Sequence, residues 1–168
     1  MSHSVLIVDD EEGLRSSLTS ILSEEGYAVE AVASGDDCLA RLARGPVDVV
    51  LLDVWLPNLD GLETLERMRQ HGQLPMVVMI SGHASIETAV RATKLGAFDF
   101  VEKPLSIEIT TRAVRKAVDF LRLEEENRRL REEVAGLRDE LAGAWGELRA
   151  LQRERRRAGP QKSVIVSG

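Results

Sequence analysis

The stretch VVLLDVWLPNLDG, residues 49–61, joins four apolar residues to an acid and then to a turn. Successive side chains of a strand point to opposite faces, so a run apolar at every position suits a strand buried on both faces of a sheet. The acid, Asp53, stands where that strand ends. Pro57 and the Asp60-Gly61 pair punctuate the next segment and favour a helix starting at Gly61. Asp53 could cap that helix, hold a metal or react, and the rest of the chain has to separate these roles.

Working outward, the same rhythm recurs through the first 119 residues. β-rich runs fall at Val5–Val8, Ala28–Val32, Val47–Leu52, Met76–Ile80 and Phe98–Val101. Amphipathic stretches lie between them at Gly13–Glu24, Asp36–Ala43, Gly61–Gln70 and Ile86–Leu95, and a fifth helix begins near Ser106. Five such alternations imply an α/β fold with a parallel sheet covered on both faces. The runs VLIV, VVLL and MVVMI read as central strands, whereas AVEAVA carries Glu30 and reads as an edge.

Composition narrows the class. The 168 residues are 43% hydrophobic and 30% charged, as expected for a soluble globular protein. The apolar runs are too short to span a bilayer. The N-terminal MSHSVLIVDD has no basic segment before its apolar run, so no signal peptide is expected. The single Cys38 cannot form an internal disulfide, which suits a cytoplasmic protein, and it is expected to be a small buried residue. Residues 1–119 hold 11 Lys/Arg against 19 Asp/Glu, a balance of −8 that argues against nucleic-acid binding there.

In open α/β sheets the working site lies beyond the carboxyl ends of the strands. Those ends carry Asp9-Asp10-Glu11-Glu12, Asp53, Ser81-Gly82 and Glu102-Lys103-Pro104. Three carboxylates at one edge would repel one another unless a hard cation with oxygen ligands, Mg²⁺ above all, joined them. An Asp carboxylate is also a nucleophile toward phosphorus. A metal, an amine and a hydroxyl could then meet the oxygens of a transferring phosphoryl group. Taken singly, each signal has a plainer reading: an Asp pair makes a turn or caps a helix, Ser-Gly makes a turn, Lys103 is a solvated charge. Their joint placement at successive strand ends favours the chemical reading.

Over about residues 4–119, the segments VLIVDDE, VVLLDVWLPNLDG, VVMISGHAS and GAFDFVEKP resemble the receiver domain of two-component response regulators. The resemblance implies a flavodoxin-like, doubly wound five-stranded parallel sheet of order 2-1-3-4-5. It implies that Asp53 is the phosphoacceptor and a sensor histidine kinase the donor. Mg²⁺ would be held by Asp10 and Asp53, by Asp9 mainly through water, and by the main-chain carbonyl of Trp55. Ser81 matches the switch hydroxyl, Lys103 the phosphate-contacting amine, and Phe100 the aromatic that moves with the hydroxyl. The Lys103–Pro104 bond is usually cis in that family. Such domains are regulatory rather than enzymes, with intrinsic phosphotransfer and slow loss of the phosphoryl group. Trp55 could shield the acyl phosphate or merely cover its loop. His3, His71 and His83 lack metal-ligand spacing and are expected at the surface, with His83 flanking the site.

Two other readings stay open. Phosphatases of the haloacid-dehalogenase type also use an Asp after a strand, but they need a second Asp two residues on, where this chain has Trp55. A structural dimeriser whose acids merely bind a cation is the other.

Beyond residue 119 the period changes. Val114, Ala117, Val118 and Leu121 form a stripe suited to the receiver core. Phe120, Leu123, Asn127, Leu130, Val134, Leu137, Leu141, Ala144, Leu148 and Leu151 then alternate steps of three and four, a heptad seam with Phe120, Asn127, Val134, Leu141 and Leu148 at a. Glu126 and Glu133 at g would face Arg131 and Arg138 at e of a parallel partner, and Asn127 at a favours two strands in register. The expected organisation is a receiver at 1–119, a parallel coiled-coil dimerisation linker at 120–157 continuous with the fifth helix, and a tail at 158–168. Gly136, Gly143 and Gly146 lie off the seam at a cost of about 1 kcal/mol each relative to Ala, so AGAWGE at 142–147 is expected to fray or hinge. The basic RERRR at 153–157 could touch nucleic acid, but a solvated helix end is the better reading. No contact with nucleic acid or membrane is expected. The run SVIV at 163–166 reads as the first strand of a further domain. Receivers with GAFDFVEKP and such a linker resemble those of nitrogen-regulation-type (sigma-54-dependent) transcription activators. In these residues there is no phosphate-binding G-x-x-x-x-G-K-[ST] loop and no helix-turn-helix pattern, so a transcription-activating output lies outside this chain.

Overall fold

A computed structural model of the chain describes residues 2–73, 75–83 and 85–159. Five strands, β1 (Ser4–Val8), β2 (Ala28–Val32), β3 (Val49–Asp53), β4 (Met76–Ser81) and β5 (Asp99–Glu102), form one parallel sheet in the order β2-β1-β3-β4-β5. Helices α1 (Glu12–Glu24), α2 (Gly35–Ala43), α3 (Gly61–Gln70) and α4 (Ile86–Lys94) link them, and α5 (Ile107–Ala158) comes last. This is the expected doubly wound fold with its long C-terminal helix.

Period-2 alternation in the strands divides the core. Leu6, Val8, Val50, Leu52, Val77 and Met79 face α2, α3 and α4, where they meet Cys38, Leu65, Met68 and Ala92. Val5, Ile7, Val49, Leu51, Val78 and Ile80 face α1 and α5, meeting Leu18, Leu22, Val114, Ala117 and Val118, with Leu121 packed at the margin. Both faces of β1, β3 and β4 are thus filled, which explains their unbroken apolar runs. Burial pushes the Cys38 thiol up to about 12, as for an inert core residue. β2 is an edge strand, as expected, and its Glu30 is held by paired 2.8 Å hydrogen bonds from Arg41 of α2.

Helix starts follow local chemistry. Ser34, Asp60 and Ser85 accept the backbone N–H groups of Asp37, Glu63 and Thr88 at the starts of α2, α3 and α4, and Ser106 accepts that of Ile109 in α5. Several boundaries fall a residue or two from expectation, β5 at Asp99–Glu102 rather than Phe98–Val101 among them, and two differences at β3 bear on the site. β3 begins at Val49, not Val47, because Asp48 is engaged by Ser4: the Ser4 N–H donates to Asp48 Oδ2 at 2.9 Å, and the Asp48 N–H donates to Ser4 Oγ at 3.0 Å. Asp53 in turn lies inside the strand, opposite Ile80. The expected hinge at AGAWGE is absent: α5 runs unbroken through Gly136, Gly143 and Gly146. A glycine lowers helix propensity but leaves every backbone hydrogen bond available, and three isolated penalties do not end a long helix.

The chain divides into two units, Met1–Leu123 and Glu124–Gly168. In the second, Leu130, Val134, Leu137, Leu141, Leu148 and Leu151 are all exposed along one helix, as is Trp145. The expected strand at 163–166 lies outside the described residues.

Candidate functional site

The sheet order reverses between β1 and β3, and the crevice at such a reversal is where α/β sheets hold ligands. Asp9 follows β1, Asp53 ends β3, Ser81 ends β4 and Lys103 follows β5. Asp9, Asp53 and Ser81 are buried, Lys103 is partly buried and Asp10 is exposed at the rim.

Lys103 Nζ donates to Asp9 Oδ2 at 3.1 Å and to Asp53 Oδ2 at 3.2 Å, so one ammonium bridges two buried carboxylates. Burial alone would lower the lysine's pKa, but the two carboxylates outweigh it and hold the ammonium above its ordinary value. Burial also pushes the Asp53 carboxyl up to about 6. The Trp55 N–H opposes that rise, the charge on Asp9 adds to it, and Lys103 opposes it again.

The strand-end acids also do local work. Asp9 Oδ1 accepts the Glu11 N–H at 2.8 Å, and Asp53 Oδ1 accepts the Trp55 N–H at 3.1 Å. The plainer reading of the Asp pair as a turn former therefore holds for Asp9, one oxygen of which remains on Lys103. Asp60, not Asp53, caps α3. One carboxylate oxygen from each of Asp9, Asp10 and Asp53 lies within 4.8 Å of the others. Hard oxygen donors this close suit a cation such as Mg²⁺.

Ser81 Oγ accepts the His83 N–H at 3.1 Å, and the Lys103 N–H donates to the Ser81 carbonyl at 2.7 Å, tying β4 to the residue that carries the amine. Among the described residues, no hydrogen bond joins Ser81 Oγ to Asp53. Phe100 is half-buried against the α2–α4 side of the core. Trp55 is 57% exposed. The Lys103–Pro104 bond is cis. His71 and His83 are exposed, whereas His3, expected at the surface, is half-buried at the start of β1, where its carbonyl accepts the Ala28 N–H.

Two contributors were not legible as site residues, and neither was a link between α3 and α4 at the opposite edge of the sheet. A Cβ at Gly61 would sit 2.1 Å from the Asp53 carbonyl oxygen, so α3 begins directly on the backbone of Asp53. Asp60-Gly61 signalled a helix start, but nothing local showed what the glycine touches. Arg15 of α1 reaches back to donate to the Asp9 carbonyl at 2.8 Å. Arg69 of α3 donates to the Leu95 and Gly96 carbonyls at the end of α4, at 3.0 and 2.6 Å.

A sheet of this order with acids at its reversal point, a Ser and a Lys at the next two strand ends, defines a class. The response regulator receiver domain family matches residues 5–115, and the chain belongs to that family. It is 44% identical over 131 residues to the nitrogen assimilation regulatory protein NtrX of Azorhizobium caulinodans, covering 76% of this chain and 29% of that one. NtrX from Brucella abortus superposes with a TM-score of 0.71 at 39% identity, over 77% of this chain and 30% of that one. The beryllofluoride-activated NtrC4 receiver domain dimer does so with a TM-score of 0.64 at 38% identity, over 68% of this chain and 94% of that one. The expected kinship with nitrogen-regulation-type activators is borne out. The chain spans less than a third of the length of the curated NtrX relative. It is a regulatory rather than a catalytic domain. No helix among the described residues is long and apolar enough to cross a membrane.

Proposed function

We propose that this chain is a phosphorylation-controlled module in which Asp53 accepts a phosphoryl group from a sensor histidine kinase. The observation that carries the reading is the Lys103 ammonium held between Asp9 and Asp53 at the carboxyl edge of the sheet. An oxygen of Asp53 attacks phosphorus, the P–O bond forms, and the P–N bond of a phosphohistidine breaks with its electron pair leaving on the imidazole nitrogen. Asp9, Asp10, Asp53 and the Trp55 carbonyl would hold Mg²⁺, which supplies charge neutralisation to the transferring group. Lys103 lies within reach of the added oxygens and Ser81 is the hydroxyl that would turn toward them. A phosphatase mechanism lacks its acid, since position 55 is a tryptophan whose N–H serves Asp53.

The output passes through α5. Seven seam positions (Leu123, Leu130, Val134, Leu137, Leu141, Leu148 and Leu151) are exposed on one helix. A second copy in parallel covers them and sets Glu126 and Glu133 opposite Arg131 and Arg138. A shift of Ser81 and Phe100 would change the face made by α4, β5 and α5, and with it the dimer. The transcription-activating output lies outside this chain, and a cytoplasmic setting follows from a cytoplasmic kinase domain as donor.

Mass spectrometry after incubation with acetyl phosphate and Mg²⁺ tests the phosphoacceptor. One phosphoryl group is expected on the wild type and none on Asp53→Asn. Equal labelling of both, or of neither, removes the claim.

A further inference from the structure

Phe120 belongs to two patterns at once. On α5 the residues Ala113, Val114, Ala117 and Val118 are buried in the receiver core, and Leu121 packs at its edge. The seam starts one residue earlier, at Phe120. The two stripes therefore meet on adjacent residues. In this structure the Phe120 ring is committed to the receiver: its centroid lies 5.4 Å from that of Phe98, with the planes tilted by 44°. That separation falls in the range where aromatic pairs attract. Phe120 nevertheless keeps 43% of its surface exposed, so the receiver does not finish burying it.

An a residue of a parallel dimer is a knob in a hole of the facing helix, and its ring has to point at the dimer axis. We propose that Phe98 and a second copy of this chain compete for the Phe120 ring, so that the receiver holds the first heptad of the seam open. The proposal rests on the dimer reading above. The occupant is a second copy because the seam beyond Phe120 is self-complementary in charge, with Glu126 and Glu133 at g and Arg131 and Arg138 at e. Phe98 is well placed to set the balance. Its N–H donates to the Val77 carbonyl at 2.8 Å at the entrance to β5, two residues before Phe100. A displacement of β5 would thus reach the seam through one ring-to-ring contact.

Sedimentation over a dilution series of the full 168-residue chain gives the dimer Kd for wild type, Phe98→Ala, Phe120→Ala and the double variant. Two Phe98–Phe120 pairs open per dimer, so Phe98→Ala should tighten dimerisation by on the order of tenfold to a hundredfold. The same change in the Phe120→Ala background should leave the Kd unmoved. Phe98→Leu keeps apolar volume at the site without a ring and should shift the Kd in the same direction, less far. Circular dichroism confirms that each variant is folded. If the wild type dimerises and Phe98→Ala and Phe98→Leu leave its Kd unchanged, the competition is overturned while the dimer stands. An equal effect of Phe98→Ala with and without Phe120 also overturns it. A wild type that is monomeric at every concentration removes both.

Discussion

Replacing Gly61 by Ala is the sharpest perturbation of the link between fold and site. Gly61 opens α3 with ordinary helical geometry, so alanine meets no backbone penalty there and would ordinarily gain helix propensity. Space is what forbids it. The added Cβ would lie 2.1 Å from the Asp53 carbonyl oxygen, 2.8 Å from Val54 Cα and 2.9 Å from the Asp53 carbonyl carbon. All three are main-chain atoms of β3 or its exit, and no side chain can swing aside. Relief requires moving α3 off the sheet or bending the end of β3. It would also lengthen the 2.8 Å bond from the Gly61 N–H to the Val54 carbonyl. Overpacking of this kind costs about 1–3 kcal/mol, which for a domain near this size lowers Tm by about 4–15 °C. Gly13 of α1 provides the control, since nothing lies within 4 Å of its missing Cβ; Gly13→Ala should leave Tm equal or raise it by a few degrees. Thermal unfolding measures the first effect. The second is functional: moving the Asp53 backbone displaces its carboxylate from Lys103, so labelling by acetyl phosphate should slow at temperatures where the variant is folded. If Gly61→Ala melts with the wild type and labels at the same rate, the inference that α3 is seated on the backbone of Asp53 is wrong.

Other expectations come from the charges and the seam. The folded pKa of Asp53, about 6, exceeds its ordinary value of 3.8, so the metal-free protein gains stability as pH falls from about 6 toward 3.8 and loses that gain as pH rises through 6. The full gain is on the order of 3 kcal/mol, and comparing unfolding free energies of wild type and Asp53→Asn across pH 4–8 captures most of it; a pH-independent difference would refute it. Lys103→Met leaves two buried carboxylates without their shared cation. It should lower the metal-free Tm, and added Mg²⁺ should raise Tm by more in the variant than in the wild type. Asn127→Leu removes a polar a residue, so dimers should melt at higher temperature and larger assemblies should appear in sedimentation; an unchanged profile would mean that Asn127 is not at a dimer axis.

Much of the fold is legible in the sequence because the relevant signals are local. Apolar runs on every residue mark β1, β3 and β4, and Asp60-Gly61 marks the start of α3. The active edge is legible because a parallel sheet brings successive strand ends together, so Asp9, Asp53, Ser81 and Lys103 can be grouped without knowing a distance. What escapes depends on pairs far apart in sequence. The start of β3 is misplaced by pattern alone because Ser4, 44 residues away, engages Asp48. Arg69 and Arg15 look like solvated helix charges, since nothing beside them in sequence shows which carbonyl they reach. The continuity of α5 through three glycines escapes for another reason: propensity is a weak prior beside the cooperativity of an already nucleated helix.

The charge of the site ties these observations together. Asp9, Asp10 and Asp53, when all are ionised, carry three negative charges against the one positive charge of Lys103, leaving −2 at an edge where two of the acids are buried. A divalent cation cancels that remainder, which is why Mg²⁺ suits the cluster better than a monovalent cation. Phosphorylation of Asp53 would exchange a carboxylate for a group of roughly −2 and raise the deficit again. The nearby groups able to respond are Lys103, already within 3.2 Å, and the Ser81 hydroxyl, now engaged by the His83 amide. Lys103 is tethered to the Ser81 carbonyl through its own N–H, so any pull on the lysine side chain is felt by both strand ends. β4 and β5 are therefore the strands through which the new charge must be accommodated, and β5 leads directly from Phe98 and Phe100 toward α5.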